Sequence, residues 1–133
     1  MTPDDSNTLI QLTQDLLNSI DRRDWATYQQ LCDATLTAFE PEALGHLVEG
    51  MPFHEFYLEP TSDDLPRQST ISSPHVRQMG DVAVVCYVRL LQATDATGIT
   101  STRAMEETRV WHLQQGAWQH VHFHRSPAGS TKP

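Results

Sequence analysis

Lysine is almost missing from this chain. Lys132 is the only one, and the other eight cationic side chains are arginines. With 9 Lys+Arg against 17 Asp+Glu the formal charge is −8, and no basic run exists. Phosphate backbones and anionic bilayer surfaces repel a chain of that sign, which argues against nucleic acid or a membrane as partner. Cysteine is scarce too. Cys32 and Cys86 sit in apolar stretches and read as buried thiols, whereas a secreted disulfide scaffold uses more. No apolar run approaches the ~20 residues that cross a bilayer. The opening Met-Thr-Pro-Asp-Asp lacks the basic and apolar segments of a leader, so the expectation is a soluble, cytoplasmic protein. Also missing are a glycine-rich phosphate loop, a Gly-x-Ser-x-Gly elbow and the kinase lysine and His-Arg-Asp elements. No cofactor is expected.

What is present suits a single domain: 133 residues, 38% of them hydrophobic. A polar lead covers 1–7, the domain 8–126 and a flexible tail 127–133. Leu9, Leu12, Leu16, Leu17 and Ile20 recur at helical spacing, with acids before them and Arg22 and Arg23 after. Asp24 is placed to cap a second helix carrying Trp25, Tyr28, Leu31 and Cys32. Leu36 to Phe39 reads as extended. A third helix is expected from Leu44 through Leu47, Val48, Met51, Phe53, Phe56 and Tyr57, bent or broken at Gly50 and Pro52. Residues 59–66 read as a loop. Four strands are expected over 67–78, 81–92, 100–113 and 117–125. Helices first and consecutive strands after give an α+β fold, an antiparallel sheet with helices on one side. The run Val82 to Leu91 is apolar on both alternating faces. Helices cover one face; the other calls for a second copy of the chain.

Three of the strands end in an arginine within an otherwise greasy stretch: Arg89, Arg109 and Arg125. A guanidinium stays charged at any biological pH and is costly to bury unpaired. Arg89 shares a face with Tyr87, Arg109 with Glu107 and Trp111, and Arg125 with Phe123. If the three faces coincide, the arginines meet beside aromatic walls. A three-residue Gln114-Gln115-Gly116 turn with a bulge keeps Arg125 with the others; a two-residue turn sends it to the other side. The cluster then either binds a carboxylate, which guanidinium forks take bidentately, or is neutralised internally by Glu107, Glu106, Glu40 or Glu42. His120, His122 and His124 alternate along one face of the last strand. They read as interface residues, and no metal is expected. His54 on the third helix is a candidate pocket donor. It is also a conceivable acid partner to a Glu40 or Glu107 base.

At these residues the chain resembles a known family. Leu36 to Gly45, Leu47 to Gly50, Phe53-His54, Pro74-His75-Val76, Glu106 to His112, Trp118-Gln119 and Val121 to Ser126 are similar to the association (hub) domain of calcium/calmodulin-dependent protein kinase type II. That family lies in the nuclear-transport-factor-2-like, or SnoaL-like, superfamily of cystatin-like α+β folds. The resemblance covers about residues 8 to 126. It implies a cone-like fold with a long N-terminal helix and two more helices cradled by a strongly curved antiparallel sheet. It implies self-association as a homodimer or a larger ring. It implies a deep cavity lined by Arg89, Arg109, Arg125 and His54 that accepts a small carboxylate, with Tyr87, Trp111 and Glu107 completing the candidate ligand-binding set. Kinase and calmodulin-binding segments have no counterpart here. The 58–66 loop departs from the family, where an aromatic residue gates the cavity, and the Gln115-Gly116 turn lacks the usual acidic residue. The short acidic N-terminus looks like that of a free-standing bacterial homologue. Two other readings compete: a small-molecule isomerase, cyclase or dehydratase of the superfamily, and a pure oligomerisation scaffold.

Overall fold

The computed structural model describes residues 4–60 and 65–129. Helix α1 (Ser6–Asp21) turns Leu9, Leu16 and Leu17 inward at i, i+7 and i+8, so one apolar stripe is buried. Thr13 and Ser19 share that stripe, their hydroxyls donating back to the carbonyls of Leu9 and Leu16. Asp24 caps α2 (Trp25–Leu31): its carboxylate accepts from the Thr27 backbone N–H at 3.2 Å. Cys32 is not part of that helix. It opens strand β1 (Cys32–Phe39), which runs longer than the four extended residues read from sequence.

The third helix is shorter than expected. The segment from Leu44 to Met51 is not helical, and α3 spans only Pro52–Leu58. Proline suits a first helical turn because its missing N–H needs no partner there. Before it, Gly50 holds φ +80°, a left-handed conformation that ends any run from Leu44. The chain instead makes a single 3-10 turn at Pro41–Ala43 and then β2 (Val48–Glu49), which pairs antiparallel with Ala38 and Thr37. Of the expected 59–66 loop, residues 61–64 lie outside the described residues.

Four long strands follow: β3 (Arg67–Met79), β4 (Val82–Thr94), β5 (Thr100–Gln114) and β6 (Ala117–Pro127). Among the described residues the sheet has six strands in the order β2-β1-β6-β5-β4-β3, and only the β1–β6 pairing is parallel. The three helices pack on this curled sheet. Strand β4 alternates cleanly: Ala83, Val85, Tyr87, Arg89 and Leu91 are buried under the helices, and Val82, Val84, Cys86, Val88 and Leu90 are half-buried on the outer face.

Two bulges set which residues face inward. In β3, Ser73 (φ +53°) and Pro74 oppose one β4 residue, so inward parity passes from Ser69 and Ile71 to Val76 and Gln78. Proline inside a strand belongs at such a site, because it cannot donate to the ladder. The second bulge is in β6. Gln115 and Gly116 form a two-residue turn with φ +52° and +83°, the type I′ geometry of a tight hairpin. That turn alone would face Arg125 outward. Between the Trp111–His120 and Val110–His122 pairs, however, β6 carries Val121 as an extra residue, and the parity is restored. The bulge also separates the histidines. His120 is buried inside, whereas His122 and His124 lie on the outer face, so the three do not share one side.

Candidate functional site

Strand register arranges the inner face in rows. Val85, Arg109 and Phe123 form one; Tyr87, Glu107 and Arg125 the next; Arg89, Met105 and Pro127 the third. Glu107 is the hub of this lattice. One of its oxygens accepts from Tyr87 Oη at 2.5 Å and from Arg109 Nη2 at 3.0 Å; the other accepts from Arg89 Nη1 at 3.4 Å. The Tyr87 hydroxyl in turn accepts from Arg109 Nε at 2.7 Å. Burial works to raise the Glu107 pKa, but the Arg109 and Arg89 charges outweigh it and hold the carboxyl below its usual range. Arg89 also reaches Ser69 Oγ at 2.8 Å and Asp21, the last residue of α1, at 2.9 Å. Arg109 lies over the Phe123 ring, 4.5 Å from its centroid, and contacts His120 Nε2 at 3.4 Å. Because Arg109 can only donate, that nitrogen accepts, and the proton sits on Nδ1 facing Cys32 Sγ at 3.4 Å. Burial first, then the Arg109 charge, pushes the His120 pKa far down. Burial lifts the Cys32 thiol to about 12. Both groups are neutral.

In front of this lattice is a cavity of about 210 Å³ between α2, α3 and the sheet. Six arginines line it: Arg23, Arg67, Arg89, Arg103, Arg109 and Arg125. Among the described residues two carboxylates, Glu40 and Glu42, do so. Arg125 is ion-paired with Glu42 and points Nη1 at Met105 Sδ, 3.1 Å away. Glu40 is pushed up to about 7, chiefly by burial, while Arg125 pulls it down and Glu42 pushes it up. His54 is 3% exposed and packs against the rings of Tyr28, Phe53 and Phe123. Burial, then Arg109, lowers its pKa to about 4, so it is neutral at pH 7. Its Nε2 is buried with no hydrogen-bond partner.

The residues singled out in the sequence therefore fall into two layers. Arg89, Arg109, Arg125 and His54 line the cavity. Tyr87, Trp111 and Glu107 do not; they are buried in the layer behind it. No hydrogen bond joins His54 to Glu40 or Glu107 among the described residues, and Glu107 is already saturated by guanidinium donors. Neither pairing forms an acid–base couple. The sequence reading missed Arg23, Arg67 and Arg103. A signal for two of them was available: Arg103 continues the odd-numbered row of Met105, Glu107 and Arg109, and Arg67 continues that of Ser69 and Ile71.

Comparison with known proteins decides the family. The sequence model described as the calcium/calmodulin dependent protein kinase II association domain matches residues 5–129. This chain belongs to that association-domain family. It is 48% identical over 130 residues to the rabbit (Oryctolagus cuniculus) calcium/calmodulin-dependent protein kinase type II subunit delta. The match covers 94% of this chain but 24% of that protein, so the chain spans about a quarter of its relative's length. Among solved structures, the hub homology domain of C. reinhardtii superposes with a TM-score of 0.88 at 42% identity, covering 95% of this chain and all of that one. The C. elegans association domain gives 0.84 at 42%, covering 92% and 99%. A nuclear transport factor 2-like protein from Salmonella enterica, at 21% identity and TM-score 0.79 over 96% and 93%, shares the fold. No helix among the described residues is long and apolar enough to cross a membrane.

Proposed function

We propose that this chain is a self-associating domain whose concave face binds a small carboxylate. Family membership supports the association. On β4, the half-buried outer row Val82, Val84, Cys86, Val88 and Leu90 offers an apolar face for a second copy. One observation carries the ligand: His54 Nε2 is buried without a partner on the wall of a cavity ringed by six arginines. A buried polar atom left unpaired costs about 1–3 kcal/mol, which an incoming oxygen would recover. Neutral His54 donates to that oxygen, and Arg125, more exposed than Arg89 or Arg109 and held from one side by Glu42, supplies a guanidinium fork. Arg89 and Arg109 are pinned by Glu107 and set the field rather than swinging to meet the ligand.

Calorimetric titration with sodium butyrate, alongside light scattering, tests both halves. The wild-type chain should give saturable heat and a mass of at least two copies. Arg125→Gln should remove the heat and leave the mass unchanged. A monomer at micromolar concentration contradicts the association, and equal heats from wild type and Arg125→Gln contradict the site.

A further inference from the structure

Two cavity arginines keep donors that no protein group uses. Arg67 gives only its Nε to Asp21, at 3.1 Å, leaving both terminal nitrogens uncommitted. Arg103 makes no hydrogen bond or ion pair among the described residues. Both side chains stand on inward rows at the rim: Arg103 pairs with Leu91 on one side of β4, and Arg67 with Ala93 on the other. With strands ~4.8 Å apart and a rise of ~3.4 Å per residue, their Cα atoms are about 12 Å apart, within joint reach of two extended arginines. They are far more exposed than Arg89 and Arg109, which are sealed in the lattice behind.

We infer that the ligand is a small dicarboxylate, one end held by Arg125 and His54 and the other by Arg67 and Arg103 at the mouth. This rests on the reading of the cavity as a carboxylate site and adds the second anchor. Charge favours it. Arg67 and Arg89 share the single oxygen Asp21 Oδ1, and Arg103 has no carboxylate within ion-pair distance among the described residues, so the mouth keeps cationic donors for a second carboxylate that a monoanion would not reach. Planar guanidinium forks are also the groups that take carboxylates bidentately.

The test is calorimetry with glutarate and butyrate on wild type, Arg103→Gln, Arg67→Gln and, as a control for overall charge, Arg77→Gln, which lies outside the cavity lining. Glutarate should bind about tenfold or more tighter than butyrate to the wild-type chain. Arg103→Gln and Arg67→Gln should each erase most of that advantage while leaving butyrate unchanged, and Arg77→Gln should alter neither. Equal affinities for the two acids, or an Arg77→Gln effect as large as that of Arg103→Gln, overturn the second anchor and leave the carboxylate site standing. No heat from either acid removes both.

Discussion

Glu107 is the residue on which the interior depends, since it lies between two buried arginines. Glu107→Gln keeps the shape and deletes the charge, leaving Arg109 without any carboxylate contact. Stripping one partner from a buried ion pair costs about 3–5 kcal/mol, so urea unfolding should shift by that order. Adding Arg109→Met should return part of the loss. His54 gives a pH signature. Its pKa falls from 6.5 to about 4 on folding, so the folded state binds fewer protons than the unfolded chain. The resulting stability is complete above pH 6.5 and is lost as pH falls towards 4, a contribution on the order of 3 kcal/mol. His120 is shifted the same way and adds to it. Glu40 runs in the other sense: raised from 4.5 to about 7, it contributes most below 4.5 and loses that contribution as pH rises through 7. Urea midpoints at pH 7 and pH 5 should differ less in His54→Gln than in wild type. An identical difference would show that His54 is not the buried neutral imidazole described here.

At the scale of elements, the single extra residue in β6 sets the register of the strand. Deleting Val121 removes the extra residue but keeps the Val110–His122, Arg109–Phe123 and Glu107–Arg125 pairs, so Phe123 and Arg125 still face inward. Retained butyrate heat is expected; loss of that heat from a folded chain would show that the bulge does more than set the register. How legible this was varied between strands. The four long strands could be read to within two residues at either end, because Gly80, Gly98 and Gly116 punctuate them and β-branched and aromatic residues fill them. The β3 bulge left a mark in Pro74. The β6 bulge left none, since Val121 adopts an ordinary conformation and Val-His-Phe-His looks the same in either register. For that reason the sequence placed three histidines together and left the direction of Arg125 open. The misread third helix has a related cause. Leu44, Leu47, Val48 and Met51 do have helical spacing, but a φ of +80° at Gly50 and the hydrogen bond from its N–H to Leu36 O commit the segment to the sheet edge. At the site itself, the lining arginines from the strand centres were visible as cations in greasy runs. Those at the rim sit among polar neighbours, where an arginine attracts no notice.

For the whole molecule, the outer face of β4 is the surface whose fate separates a lone chain from an assembly. Val84 stands there, flanked by Arg77 on β3 and Val110 on β5. Val84→Glu places a charge that the neighbouring arginine tolerates in an isolated chain but that an apolar contact with another copy does not. Light scattering should show a smaller species with an unchanged circular dichroism spectrum; full mass retained would move the contact to another face.

The sheet order has a consequence during synthesis. The last strand made, β6, is inserted between β1 and β5 rather than added at a rim. Until the ribosome has released residues 117–127, the β1–β2 pair has no neighbour to dock against, and the hollow lacks Phe123 and Arg125. A nascent chain therefore carries two open edges at once, and closure comes as a late, long-range event joining residues some eighty to ninety positions apart. A chain stopped before Ala117 would be bait for foreign strands rather than a smaller version of the same protein.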